Sequence, residues 1–131
     1  MTDPTTLPSS WARLRSDGPF PLRRGAWYRV SDATEIMVEL EVHGDTIALP
    51  TTLFDVVDRR PDRWTVVPRP RNALLLPPPS WGEQYGVCPS CAHRVPLFGA
   101  PLTLSCKRCE SSFAVAWDEG YFGRHPVRPE P

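Results

Sequence analysis

Residues 86–117 read GVCPSCAHRVPLFGAPLTLSCKRCESSFAVAW and hold every cysteine of the chain. The four fall into two matching pairs, Cys88-Pro89-Ser90-Cys91 and Cys106-Lys107-Arg108-Cys109, with fourteen residues between them. Two residues inside a pair let both thiolates turn back onto one ion, and the stretch between pairs makes a short hairpin returning to it. Such a Cys-x2-Cys…Cys-x2-Cys pattern reads as a single tetrahedral metal site; ribbon-type spacing begins about one residue longer, a difference a turn absorbs. Zinc is the expected ion. Four sulfur ligands, Cys88, Cys91, Cys106 and Cys109, leave no open coordination position, so the expected role is structural and not catalytic.

Three other readings stay open at this level. Two disulfides would belong to an exported chain, and Met1 to Pro19 carries no apolar run led by basic residues of the kind that directs export. A redox dithiol normally opens a helix after a strand, whereas Val95-Pro96 and Ser111-Ser112-Phe113 after these pairs look extended. Rubredoxin-like iron would also accept four thiolates, and would make the chain an electron carrier. His93 follows Cys91 closely, but beside four thiolates it reads as a surface residue of the turn.

Outward from the cysteines, Val95-Pro96-Leu97-Phe98 is a short apolar run, Gly99-Ala100-Pro101 a turn and Leu102-Thr103-Leu104 a return strand. Phe113-Ala114-Val115-Ala116-Trp117 alternates large and small residues and reads as a third strand. Cys88-Pro89-Ser90-Cys91, Arg94, Leu104-Ser105-Cys106-Lys107-Arg108-Cys109 and Phe113-Ala114-Val115 together resemble the small zinc-ribbon domain common in bacterial proteins. The resemblance covers residues 86–118. It implies a metal-held three-stranded fold with the four cysteines as ligands and no particular activity, because such ribbons serve transcription, translation and plain protein docking alike.

Upstream, the chain expects a second β unit. Residues 35–43 alternate strictly, with Ile36, Val38, Leu40 and Val42 on one side and Glu35, Met37, Glu39, Glu41 and His43 on the other. That period marks a strand with one buried and one wet face. Further strands are expected at 26–30, 46–49, 54–57 and 63–67, with a tight turn at Gly44-Asp45 and a single helical turn at 50–53. Five short strands in so little chain predict a small closed or half-open β-barrel, and the pattern resembles the SH3-like β-barrels of bacterial housekeeping proteins. The expected plan is mainly β: a flexible segment at 1–21, a barrel at 22–68, a proline-rich linker at 69–85, the zinc ribbon at 86–118 and a disordered tail at 119–131. Within the first segment, Trp11 and Leu14 suggest a short amphipathic turn.

Among 131 residues there are 15 basic and 15 acidic side chains, for zero net charge. That balance argues against a strongly electrostatic nucleic-acid binder, whose footprint is a basic excess. Arg59, Arg60, Arg63, Arg69 and Arg71 nevertheless cluster, interleaved with Asp55, Asp58 and Asp62, and Lys107 and Arg108 sit between ligands. These seven are the candidate contacts for a partner or nucleic acid. Arg13, Arg15, Arg23 and Arg24 form a second basic group. No glycine-rich phosphate loop or nucleophile elbow is present, and His43, His93 and His125 do not converge in sequence. The expectation is a cytoplasmic, non-enzymatic module that docks on a protein partner or larger assembly, with no membrane and no small-molecule substrate. A pure protein–protein adaptor is the main rival.

Overall fold

A computed structural model describes residues 10–15, 20–69 and 77–121. Its strands form two five-stranded sheets, and no α-helix occurs among the described residues. None of these residues belongs to a helix long and apolar enough to cross a membrane.

The first sheet contains β1 (Ser10–Leu14), β2 (Tyr28–Ala33), β3 (Met37–Val42), β4 (Asp45–Pro50) and β5 (Phe54–Val57), in the order β4-β3-β2-β1-β5. All its pairings are antiparallel. The alternation in β3 does as expected, burying Val38 and Leu40. Ile36, expected on the same face, is 75% exposed because it lies in the turn before the ladder begins. The β3–β4 turn is His43-Gly44, one residue earlier than expected, with φ of 50° and 85°. Two positive φ values give a turn whose twist matches that of the flanking strands.

A single 3-10 turn, Thr51–Leu53, carries the chain from β4 to β5. These strands lie at opposite edges of the sheet. Flat, five strands would span about 19 Å, yet the chain from Pro50 to Phe54 reaches at most about 14 Å. The sheet must therefore curl into a half-barrel. Ala12, Leu14, Val38, Leu40 and Phe54 fill it, with Tyr28, Val30, Ile47 and Leu49 packed around them.

The second sheet contains β6 (Arg63–Pro68), β7 (Gln84–Val87), β8 (Arg94–Pro96), β9 (Thr103–Ser105) and β10 (Ser112–Val115), in the order β8-β7-β6-β10-β9. Only β6 and β10 run parallel.

Strand pairing departs from the expected boundaries. Residues 10–14, expected in a flexible lead-in, form β1 between β2 and β5. The cysteine-bearing sheet has five strands and not three, because β6 is its centre and β7 begins inside the expected linker. The runs 95–98 and 102–104, expected to pair with each other, supply β8 and β9 at opposite edges. Each pairs instead with the strand across its own cysteine turn. The leucine run 73–76 and the chain after Tyr121 lie outside the described residues. Glu119 and Tyr121, expected in the tail, are anchored to the body of the molecule.

The reason β6 joins the second sheet is visible in its burial. Trp64, Thr65, Val66 and Val67 are all buried. A barrel strand keeps one wet face, whereas a strand covered on both faces belongs at a centre. Trp64 and Val66 face the cysteines, and Val67 joins Ala26, Tyr85, Val87 and Tyr121 on the side toward the barrel. Gly25 closes this joint. Its φ is +81°, and a Cβ there would lie 2.5 Å from Val67 Cγ2, so only glycine fits.

Arg13 threads the same joint. It alternates with Ala12 and Leu14 along β1, so its side chain leaves the barrel core on the opposite face. It donates to Thr65 Oγ1 at 2.9 Å and to both carboxylate oxygens of Glu119 at 2.8 and 2.9 Å. Its guanidinium carbon lies 4.4 Å from the ring centres of both Trp27 and Tyr121. Tyr121 also accepts from the Gly25 N–H at 3.0 Å and donates to the Leu14 carbonyl. A charge this buried is tolerable only with such partners. The segment after β10 is thereby strapped back onto β1.

Candidate metal centre

The two cysteine pairs occupy equivalent turns, one between β7 and β8 and the other between β9 and β10. In the first, the Cys88 N–H donates to the His93 carbonyl at 2.9 Å and the Ala92 N–H to the Cys88 carbonyl at 3.0 Å. In the second, the Cys106 N–H donates to the Ser111 carbonyl at 2.7 Å and the Glu110 N–H to the Cys106 carbonyl at 2.8 Å. Ala92 and Glu110, each following the second cysteine of its pair, have φ of 64° and 61°. The same knuckle is thus built twice, and each left-handed residue turns the chain from the ligands into the return strand.

Together the knuckles bring all four Sγ atoms within 4.8 Å of one another. Cys88 and Cys109 Sγ are 3.7 Å apart, and Cys91 and Cys106 Sγ 3.5 Å. None is in a disulfide. A tetrahedron with metal–sulfur bonds near 2.3 Å has edges of about 3.8 Å, so this set fits an ion of that kind. All four positions would be filled by protein. Cys88 and Cys106 are buried against Trp64, Val66, Leu97 and Val115, while Cys91 and Cys109 pack on the rim of that cluster. Trp64 is pinned there by donating from Nε1 to the Leu104 carbonyl at 3.0 Å.

Burial pushes the Cys88 thiol up to about 12 and raises Cys91 too, whereas the Ser111 backbone amide draws Cys109 down to about 7. Cys88 and Cys91 thus hold their protons unless a cation takes their place, and ion binding releases those protons. The Ser90 N–H, 3.4 Å from Cys88 Sγ, is positioned to stabilise the thiolate once formed.

The candidate contacts scatter. Arg59 and Arg60 are exposed and line a cleft of about 720 Å³ between β5 and the segment after β10, remote in the chain from either knuckle. Arg63 lines it too but pairs with Asp118 at 2.9 Å. Arg69 donates to the carbonyls of Gly82, Pro77 and Pro78, and so shapes the turn before β7. Arg71 lies outside the described residues. Lys107 and Arg108 are exposed on the second knuckle, and His93 is half-buried in the first.

Sequence reading missed a group beside the first knuckle. Arg23 donates through its side chain to the Ala92 carbonyl, across 69 residues of chain. Arg94 stands 5.8 Å from the ring centre of Tyr85, and the charges of Arg94, Arg24 and Arg23 all act on that tyrosine. Nothing local in the sequence signals this meeting. No family model matches the chain, and neither does any curated protein or solved structure.

Proposed function

We propose that this chain is a non-enzymatic binding module whose second sheet is held by one structural zinc ion on Cys88, Cys91, Cys106 and Cys109. The observation that carries the reading is the pair of equivalent knuckles converging four sulfurs at tetrahedral spacing. A filled sulfur shell has no place for substrate or activated water, which favours a structural ion. When bound, the ion supplies cross-linking strength that four short strands cannot; comparable sites contribute on the order of 10–16 kcal/mol of apparent binding free energy. The strand order of the first sheet and the 3-10 turn before β5 support an SH3-like barrel beside it. Unpaired cysteines support a reducing, cytoplasmic setting.

The module's role is docking on a larger assembly, with transcription or translation machinery as the first setting to examine. The rival adaptor reading, protein contact alone, is favoured by Phe98 and Leu102, which are 65% and 78% exposed around the β8–β9 connection. Metal analysis with an absorbance scan tests the core of the reading. One zinc per chain and a colourless protein are expected. Thiolate-to-iron absorption would make it a rubredoxin-like carrier, and a folded, metal-free protein with oxidised thiols would end the metal-module reading.

A further inference from the structure

The zero net charge of the chain is a sum of two unlike ends. Residues 28–50, which make β2 to β4, carry the carboxylates Asp32, Glu35, Glu39, Glu41 and Asp45 against one cation, Arg29, itself paired with Glu41. The metal end is the reverse. Arg94 follows the first knuckle, Lys107 and Arg108 lie on the second, and Arg23 is hydrogen-bonded to the first through Ala92, with Arg24 beside it. The single carboxylate on the knuckles is Glu110. A zinc tetrathiolate contributes a formal −2, which still leaves an excess of about two positive charges there.

From this segregation we propose that the metal end docks the phosphate backbone of single-stranded nucleic acid through Arg23, Arg24, Arg94, Lys107 and Arg108. The proposal rests on the metal-module reading and supplies its partner. Four of the five cations are guanidiniums, whose forked donors match phosphate oxygens two at a time. They come from three separate stretches of chain, so the folded knuckles are needed to gather them. Trp81, half-buried and 6.4 Å from Tyr85 between ring centres, borders the group through Tyr85 and is the ring there on which an unpaired base would stack. An acidic polypeptide would use the same charges but not that ring. The acidic barrel face repels the strand elsewhere and so orients it toward the knuckles.

Fluorescence anisotropy with labelled 16-mers of dT and of U, over a salt series, tests this on the full metal-loaded chain. Binding is expected to weaken with salt at a log–log slope of about −2 to −3.5, as for three to five phosphate contacts on a single strand. Lys107→Gln with Arg108→Gln, both exposed, should reduce that slope by about 1.4 and weaken binding at every sequence alike. Arg94→Gln should act in the same direction, whereas Arg29→Gln on the acidic face should leave binding unchanged. No binding at low salt, a salt-insensitive complex, or tighter binding of a duplex or of polyglutamate would overturn the proposal. So would loss of binding on Arg59→Gln with Arg60→Gln alone, which would move the site to the cleft. Zinc content measured on each sample separates the two failures: a zinc-loaded chain that ignores the oligonucleotide refutes this surface and leaves the module standing.

Discussion

Tyr121 shows how much one hydroxyl can connect. It links the Gly25 amide to the Leu14 carbonyl, and its ring covers the Arg13 guanidinium. Burial raises its pKa above the ordinary tyrosine value, with Arg13 and the Gly25 backbone acting the other way. Unfolded tyrosine ionises near 10, so the folded state holds its proton where the unfolded state has lost it. The linked stability is whole below pH 10 and drains as pH rises toward the folded value, at up to about 1.4 kcal/mol per unit. Urea midpoints between pH 8 and 11 should therefore fall in the alkaline limb. Tyr121→Phe should start lower, by about 1–3 kcal/mol for the stranded amide and carbonyl, yet fall less steeply. An equally steep decline in that variant would show that the hydroxyl is not buried in this joint. Arg13 was legible only as one of several N-terminal arginines. Its partners Thr65 and Glu119 are 52 and 106 residues away, and no local pattern reports contacts at that range.

Among the elements, the knuckles were the most legible, because their geometry is short-range. Each needs two cysteines, two intervening residues and a left-handed residue after them, all within one turn. The left-handed position is held by Ala92 and Glu110 without glycine's freedom, at a cost of about 1 kcal/mol for an L side chain. Glu110→Gly should thus leave the protein as stable or raise its unfolding free energy by up to about 1 kcal/mol, after allowing for glycine's looser unfolded chain. Glu110→Val, β-branched at the same φ, should lower it. Urea titration of the variants at matched metal content would decide; a large loss with glycine would mean that the carboxylate, not the backbone, governs this turn. The alternation in β3 and the Thr51–Leu53 turn were equally readable. The partners of β8 and β9 were not, since two apolar runs flanking Gly99 look like a hairpin whether or not they pair.

At the scale of the molecule, β6 ties the cysteine cluster to the barrel. Trp64 packs on the cysteines while Thr65 and Val67, its neighbours on the other face, contact the segment that enters β2. Removing the ion should therefore not leave an intact barrel beside a melted ribbon. Hydrogen exchange of the chelated protein should show loss of protection through β7 to β10, spreading into β6 and the Gly25–Tyr121 joint. Full protection of β6 after chelation would make the two sheets independent. The same connection means that Cys106→Ser, which a boundary at residue 68 would confine to the ribbon, should also loosen β6.

By itself the sequence settled the features encoded within one turn or one strand: the two cysteine turns, the alternating β3, the single helical turn before β5 and a mainly β plan. Spacing and side-chain period act over a few residues, so a local reading captures them. Tertiary structure alone decided that Ser10–Leu14 belongs to the barrel, that Arg63–Pro68 belongs to the cysteine sheet, and that Arg23, Arg24 and Arg94 stand beside the first knuckle. Those outcomes depend on which buried faces meet across the chain, and on how charges that cancel in the sum are held apart in space.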